Sequence, residues 1–432
     1  MELFVLLILV IVALILIDVP IAVAFGVGAF GFVFLTDRDL SFLLPSAFGQ
    51  AKSFALLALP LFILTGSVMV PSGISERMIA FINSFVGHVK GALGVVTIAA
   101  CALFGAMSGS ASSAIAAVGS VMIPRMVEDG YPRGFVSGLV ACSAVLTILV
   151  PPSIPMILFA VAGKLPVTAC FLSTVGAAVV LILVFSLINI HYLRRYDIRV
   201  KDKEPFPVFV RNVGRQTKRG VFALIMPVIM LGGIYGGIFT PTEAAAVCLT
   251  YAILIGFVSR RLNLQNTSQA IINGAAVTGA VMIILIFIFV MTRAMVLEQI
   301  PNQITEWLIG VTDNKILLLL MLNAILLLIG MVVDDASGSV LAAIVLLPVA
   351  TEIGIHPIHF AGIVGVNIAA GNVTPPCAPL LYLAGAVGKT SLVEMLGPTL
   401  RLLIFGYLPV ILIVTYVPDV ALFLPRLILG IG

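Results

Sequence analysis

Two proline-containing stretches decide the fold: TILVPPSIP at residues 147–155 and GNVTPPCAP at residues 371–379. Each interrupts an apolar run, Gly134–Ala162 and Phe360–Val387, that is otherwise long enough to cross a bilayer. A proline lacks the backbone donor and clashes with the carbonyl four residues earlier, so a pair of prolines should unwind a helix. We therefore predict two membrane helices, each broken near its middle.

The composition is that of a membrane protein. Hydrophobic residues make up 61% of the 432 residues and charged residues 10%, whereas soluble domains have about 45–50% and about 25%. A soluble core could not bury this many apolar side chains, but a lipid-facing surface can expose them. The net charge of +4 is small and forms no aromatic-rich basic patch, so nucleic acid is not an expected partner.

Apolar runs predict about ten membrane spans. The N-terminal run has no basic n-region and no small-residue cleavage site, so we predict a retained helix and not a signal peptide. Asp18 is predicted to cap the second helix. The predicted spans are Leu3–Ile17, Ile21–Leu35, Phe54–Val70, Gly134–Ala162, Val167–Tyr192, Val221–Ile238, Ala244–Val258, Ile271–Met291, Phe360–Val387 and Leu400–Val417.

Four further segments are predicted to be different from simple spans. Gly91–Pro124 and Ile316–Pro348 are apolar but carry polar clusters at the middle, MSGSASS and DDASGS. Such a cluster is typical of a re-entrant hairpin whose tip is buried in protein halfway across the membrane. Ser75–Lys90 and Thr292–Asp313 are more polar and are predicted to lie along the membrane surface.

The two halves of the chain repeat one pattern. Pro124, YPRGF and PPSIP in the first half recur as Pro348, HPIHF and PPCAP, at an offset of 224 to 225 residues, and Ser113 and Ser337 share this register. The basic linker His191–Gly220 should be cytoplasmic by the positive-inside rule. Counting spans from that linker places both termini in the periplasm and gives the halves opposite orientations. This predicts an inverted repeat, which is a common architecture of secondary transporters.

The breaks and the hairpin tips are the candidate site. Unwound carbonyls suit a hard cation such as Na+, and a half-helix N-terminus suits a carboxylate. A simple proline kink is the alternative, but two equivalent breaks that each accompany a polar tip favour a binding site. The first tip offers Ser108 and Ser110. The second offers Asp334 and Asp335, and at least one of them is predicted to bind a cation because a carboxylate in lipid costs about 3 kcal/mol.

Other signatures are weaker or absent. Gly388-Lys389-Thr390 is not a phosphate-binding loop, because Leu383 stands where that motif requires glycine. The sequence shows no ATP-binding motif and no catalytic set, so we do not expect an enzyme. The alternatives left open are another secondary transporter, such as a divalent anion–sodium symporter that needs no binding protein, a channel, and a membrane enzyme.

Five motifs carry a resemblance to a known family. They are LFGAMSGSA, LVPPSIP, IFTPTEAA, LLIGMVVDD and GNVTPPCAPLLY, and they are spread through both halves. With them the chain resembles the large membrane subunit of TRAP transporters, the tripartite ATP-independent periplasmic family. The chain departs from the common family pattern at Cys377 and at Thr147-Ile148, which affects the expected backbone geometry at the breaks.

The resemblance implies a transport mechanism. It implies an all-α polytopic protein of the bacterial inner membrane, in which a scaffold holds a mobile domain that carries substrate across as an elevator. It implies no cofactor, with Na+ as the coupling ion. The expected partners are a small four-helix membrane subunit, a periplasmic substrate-binding protein and a small organic acid such as a C4-dicarboxylate, sialic acid or another sugar acid.

The resemblance also implies site residues and domain boundaries. One Na+ site would use Ser108, Gly109, Ser110 and Ser153, and the other Asp334 and Thr374. The candidate substrate contacts are Ser112, Pro151, Pro152, Ser337, Asn367, Pro375 and Pro376. The expected domains are residues 1–90 and 220–313 for the scaffold, 91–192 and 314–432 for the transport domain, and 193–219 for the linker.

Overall fold

The computed structural model describes residues 2–17, 19–36, 40–84, 90–199, 206–312, 314–375 and 377–431. Within these ranges every regular element is a helix. Six of the described helices are long and apolar enough to cross a membrane, or up to nine spans if each bent pair counts as one. The predicted all-α polytopic fold is therefore confirmed. Asp18, Lys201, Lys203 and Pro376 lie outside the described residues.

The first five helices form the start of the first half. The spans predicted at α1, α2 and α4 are present, and the predicted surface segment contains α5. Helix α3 was not predicted, because Pro45 and its polar residues break the apolar pattern. It meets the following span at an angle of 58°. The bounds are α1 Glu2–Leu16, α2 Ile21–Leu35, α3 Leu40–Ala51, α4 Ala58–Met69 and α5 Ile74–Asn83.

The first hairpin and the first broken helix follow. The hairpin turns at Gly109, whose φ of +59° is one that glycine adopts without strain. A π turn at Ile115–Gly119 lies in its second arm. The broken helix bends by 40° at residues 150–153. The bounds are α6 Ala92–Ser108, α7 Ala111–Ala114, α8 Ser120–Glu128, α9 Arg133–Ala144, α10 Leu146–Leu149, α11 Ile154–Ala162 and α12 Val167–Leu193.

The second half begins with the helices between the linker and the second hairpin. A π turn at Val228–Gly232 joins α13 to α14. Helix α16 is 34 residues long and continues past the predicted end of its span at Met291. The bounds are α13 Phe206–Pro227, α14 Gly233–Tyr235, α15 Pro241–Val258, α16 Leu264–Leu297 and α17 Ile300–Val311.

The last helices repeat the hairpin and the broken helix. The second hairpin also has a π turn in its second arm, at Ala342–Leu346. Another π turn, at Leu403–Tyr407, joins α23 to α24. The bounds are α18 Lys315–Val332, α19 Asp335–Leu341, α20 Leu347–Glu352, α21 Pro357–Gly371, α22 Pro379–Gly388, α23 Leu392–Leu402, α24 Leu408–Tyr416 and α25 Asp419–Leu429.

Several predicted boundaries were wrong. The segment 292–297 belongs to α16, and the surface helix α17 begins only at Ile300, after Gln299 adopts a left-handed φ of +54°. Polar residues alone do not end a helix, whereas this backbone reversal does. The last span begins at Leu392 and not at Leu400, α13 begins within the predicted linker, and α25 was not predicted.

Equivalent helices of the two halves make reciprocal contacts. Helix α12 of the first half packs on α21 of the second, and α23 of the second half packs on α9 of the first. Each of the two broken helices also packs against the first arm of its own hairpin, α6 on α9 and α18 on α21. Both hairpins and both breaks therefore belong to one packed core, which brings the two tips to one place.

Candidate functional site

The two hairpin tips meet at a cavity of about 320 Å³. Six groups of residues converge there: the first tip, the second tip, the N-terminus of α11, the segment around the second break, and the middle parts of α4 and α16. The cavity is lined by Ile63, Gly66, Ser67, Ser108, Gly109, Ser110, Ala111, Ser112, Ser113, Ile154, Val277, Val281, Asp334, Asp335, Ala336, Asn372, Pro379 and Leu380.

The first tip presents hydroxyl oxygens to the cavity. Ser110 caps α7, where its Oγ accepts a hydrogen bond from the Ser113 backbone N–H at 3.4 Å, and it lies 3.0 Å from Ser112 Oγ. Gly109 packs against the first break, since a Cβ at this glycine would stand 2.9 Å from the Pro152 carbonyl oxygen. The tip and the first break are thus in direct contact.

The second tip presents two carboxylates. Asp334 caps α19: its Oδ2 accepts from the Ala336 N–H at 3.1 Å and the Ser337 N–H at 3.2 Å. Its other oxygen, Oδ1, is buried and has no hydrogen-bond partner among the described residues, and the same holds for Ser337 Oγ. An unpaired buried polar group costs about 1–3 kcal/mol, and more when it is charged. A bound cation would remove this cost at Asp334.

The first break is buried beside the cavity. Ser153 is fully buried and caps α11 by accepting from the Met156 N–H at 3.4 Å. The peptide bond between Pro151 and Pro152 is cis, and both prolines are buried. Thr174 of α12 donates to the Leu149 carbonyl at 2.8 Å, which satisfies one acceptor next to the break. None of the three predicted residues of this break lines the cavity itself.

The second break contributes a residue that the sequence analysis missed. Thr374 donates to the Ala370 carbonyl at 2.7 Å and does not line the cavity, and Pro375 is half-buried. Asn372 does line the cavity and is only 4% exposed. Its place two residues before the Thr-Pro-Pro sequence was the available signal.

Asn367 lies elsewhere. Its Nδ2 donates to Asn323 Oδ1 at 2.7 Å and to the Ile363 carbonyl at 2.9 Å. Asn323 is in turn bonded to Thr415, with Asn323 Nδ2 and Thr415 Oγ1 at 3.0 Å. The predicted substrate contact therefore belongs to a buried network that joins α18, α21 and α24, outside the cavity lining.

The geometry suits an alkali cation beside a small organic ligand. Hard cations prefer carboxylate, hydroxyl and carbonyl oxygens. Ser108, Ser110 and Asp334 bring carboxylate and hydroxyl oxygens together at the cavity. No group of three or more His, Cys, Asp or Glu side chains able to hold a metal ion occurs among the residues that the structure describes.

The family model and the relatives that match this chain point to one protein family. A family model described as "Tripartite ATP-independent periplasmic transporter, DctM component" matches residues 8–420. The C4-dicarboxylate TRAP transporter large permease protein DctM of Pseudomonas aeruginosa is 35% identical over 389 residues, which is 88% of each chain. The sialic acid TRAP transporter large permease protein SiaM of Vibrio cholerae is 33% identical over 407 residues, which is 93% of each chain.

Two further matches are a relative longer than this chain and a solved structure with a similar fold. The isethionate TRAP transporter permease protein DctMQ of Oleidesulfovibrio alaskensis is 33% identical over 380 residues, and the match spans 87% of this chain but only 59% of that relative. The crystal structure of the Alcanivorax borkumensis YdaH transporter has a TM-score of 0.58 at 16% identity, covering 87% of this chain and 89% of that one. The second match shows a shared fold.

Proposed function

The chain belongs to the DctM component family of tripartite ATP-independent periplasmic transporters, and from this membership we propose that it couples the import of a small organic acid to Na+. It is a large permease subunit and a multi-pass membrane protein. The proposed location is the bacterial inner membrane. A transporter permease has no need of catalytic residues, and we propose no enzymatic activity.

One observation carries the proposal for Na+: the buried, unpaired Oδ1 of Asp334 at the second tip. A carboxylate oxygen in this position needs either a proton or a cation. Serine oxygens of the first tip line the same cavity, so a second cation could bind there, across the cavity from Asp334. We propose Ser108, Gly109, Ser110 and Ser153 for one Na+ site and Asp334 with Thr374 for the other.

We propose an elevator movement because different parts of the protein form the two sides of the cavity. Both tips, Ile154 after the first break and the residues that flank the second break form one wall, and α4 and α16, which belong to the proposed scaffold, form the other. A substrate bound between these walls would move with the tips if the packed core slid along α4 and α16. The domain division at residues 90, 192, 219 and 313 belongs to this proposal.

The partners are proposed from the family. A small four-helix membrane subunit would support the scaffold, and a periplasmic binding protein would deliver the substrate. The DctMQ relative, of which this chain covers 59%, supports a second membrane component. The relatives are named for C4-dicarboxylates, sialic acid and isethionate, and we propose an organic acid of this size for the present chain.

The test is Asp334→Asn in the purified full-length protein in lipid nanodiscs. The amide keeps the size of the side chain and the helix cap but removes the charge, so we expect Na+ affinity to fall by about 10-fold or more, equivalent to about 1.4 kcal/mol. Equilibrium binding of radiolabelled Na+ measures this. Glu306→Gln, on the exposed surface of α17, is the control and should bind Na+ as the unmodified protein does. Unchanged Na+ affinity in Asp334→Asn would refute the role of Asp334.

A further inference from the structure

Asn372 is a buried amide without a protein partner. It ends α21, is 4% exposed and lines the cavity. Its backbone N–H donates to the Ile368 carbonyl at 3.1 Å, but its side chain makes no hydrogen bond to any residue that the structure describes. A carboxamide provides two donors and one acceptor oxygen. Because the side chain lines the cavity and has no protein partner, its donors and its acceptor oxygen are available to a bound ligand.

Asp335, next to Asp334 in the second tip, is a second acceptor. Its Oδ1 accepts from the Ala336 N–H at 3.0 Å, and within the described chain its Oδ2 has no hydrogen bond. Both aspartates line the cavity, but Asp334 is proposed to bind the cation, and Asp335 accepts one backbone N–H where Asp334 accepts two. Its carboxylate is therefore free to accept hydrogen bonds from a ligand.

The cavity lining has no positive side chain. Its polar members are serines, Asn372 and the two aspartates, with no Lys, Arg or His among the described lining residues. A dicarboxylate would bring two more negative charges next to two carboxylates, in a setting where low dielectric strengthens repulsion. A monocarboxylate brings one negative charge, which a bound cation can balance. Hydroxyl groups on the same molecule would donate to Asp335 and pair with Asn372.

We infer that Asn372 and Asp335 select a hydroxylated monocarboxylate and disfavour dicarboxylates. The inference rests on the proposed function, because the balancing cation is the proposed Na+. A site built to hydrogen-bond a substrate hydroxyl discriminates strongly against an analogue that lacks it, since its buried polar groups are then left unpaired. The cavity volume of about 320 Å³ is at the small end of the range of about 300–1,000 Å³ for ligand sites.

The experiment measures binding of three acids of equal carbon-chain length to the full-length protein in nanodiscs at saturating Na+. Radiolabelled gluconate is the hydroxylated monocarboxylate, hexanoate lacks its hydroxyls, and adipate is the dicarboxylate. Gluconate should bind at least about 10-fold more tightly than either of the others. Asn372→Leu should weaken gluconate at least about 10-fold and leave hexanoate unchanged. Asp335→Asn should weaken gluconate and strengthen adipate.

Binding of radiolabelled Na+ is measured in parallel on each variant. It reports that the variant is folded, and it separates the two proposals. Asn372→Ala replaces Asn372→Leu if the larger side chain abolishes Na+ binding. With Na+ binding intact, the inference is overturned if adipate or hexanoate binds as tightly as gluconate. It is also overturned if neither substitution changes the affinity for gluconate. If the unmodified protein does not bind Na+, or binds gluconate equally well without Na+, the proposed function is overturned instead.

Discussion

Gly371 and Gly330 allow two backbones to touch beside the site. A Cβ at Gly371 would stand 2.3 Å from the Gly330 carbonyl carbon and 2.5 Å from its Cα. The contact joins the end of α21, just before the second break, to α18, just before the second tip. Backbone atoms cannot move aside as a flexible side chain can. The distance between the break and the tip therefore depends on the absence of a side chain here.

We expect Gly371→Ala to destabilise the protein. The added methyl group would force α18 and α21 apart, and overpacking of this kind costs about 1–3 kcal/mol. Thermal unfolding in detergent should show a lower midpoint. The control is Gly279→Ala on α16, where no atom lies within 4 Å of the added Cβ; it should be neutral or stabilising by up to about 1 kcal/mol. Equal midpoints for the two variants would contradict the packing argument.

Residue identities at the site were partly predictable. Asp334 and the serines of the first tip were identified by type, because charged and hydroxyl residues at the middle of apolar runs are costly or unusual there. Asn372 was missed and Asn367 was chosen in its place. The two are five residues apart, so they point about 140° apart around the helix. Without the packing of α21, the sequence could not show which of the two asparagines faces the cavity.

At the scale of elements, a polar network fastens three helices. Asn323 of α18, Asn367 of α21 and Thr415 of α24 form a buried set of hydrogen bonds. Each of the three side chains is at most 5% exposed. The network holds the first arm of the second hairpin against the broken helix and the last span. It therefore fixes the tip through the elements that carry it.

We expect Asn367→Ala to lower the free energy of unfolding by about 1–2 kcal/mol, because the buried Asn323 Oδ1 loses the shorter of its two hydrogen bonds and keeps only the one from Thr415 Oγ1. Na+ affinity should stay unchanged, since Asn367 does not line the cavity. Chemical unfolding and Na+ binding measure the two quantities. The double variant with Asn323→Ala should cost less than the sum of the single variants, as expected for partners in one network.

One control and one contrary outcome complete the experiment. Asn273→Ala, on an exposed position of α16, should change neither quantity. A loss of ligand binding in Asn367→Ala without a loss of stability would show instead that Asn367 contacts the substrate.

The sequence predicted best those elements that are interrupted by a proline pair or by a polar cluster. The two Pro-Pro pairs correctly predicted the breaks after Leu149 and Gly371, and the polar clusters correctly predicted both turns. Amphipathic helices such as α3 and α25 were missed because neither forms a continuous apolar run. The end of α16 was misplaced because Thr292 and Arg293 are polar, yet nothing there stops a helix before Gln299.

At the scale of the whole molecule, the cavity lies between two parts of the protein: the hairpin tips on one side, and α4 and α16 on the other. Gly66 of α4 lies against the first tip, where a Cβ added at this glycine would stand 3.4 Å from Ser108 Cβ. That separation is close to the range of about 3.5–4.5 Å found between the Cβ atoms of a disulfide. A crosslink at this point would join the two walls.

We expect the double variant Gly66→Cys and Ser108→Cys to form a disulfide on oxidation and to stop transport. The background should have the five native cysteines replaced by alanine. Uptake into proteoliposomes, with the small subunit and the binding protein present, is measured before oxidation, after oxidation and after reduction. Under the proposed elevator mechanism, oxidation abolishes the uptake that the reduced double variant retains, and reduction restores that rate.

The single variants serve as controls for that measurement. Ser108→Cys alone reports any loss that comes from changing a proposed Na+ ligand, and oxidation should not affect it. Complete crosslinking that leaves the uptake rate unchanged would exclude movement of the tip relative to α4.

Helix α16 is longer than a membrane is thick. Its 34 residues extend about 50 Å at 1.5 Å per residue, against about 30 Å of hydrocarbon. Part of the helix must project into the headgroup region, the helix must tilt, or both. Val277 and Val281, which line the cavity, lie near its middle. The thickness of the host bilayer therefore influences the tilt of α16, which forms part of one cavity wall. Through this hydrophobic mismatch, the acyl-chain length of the lipids affects the shape of the cavity.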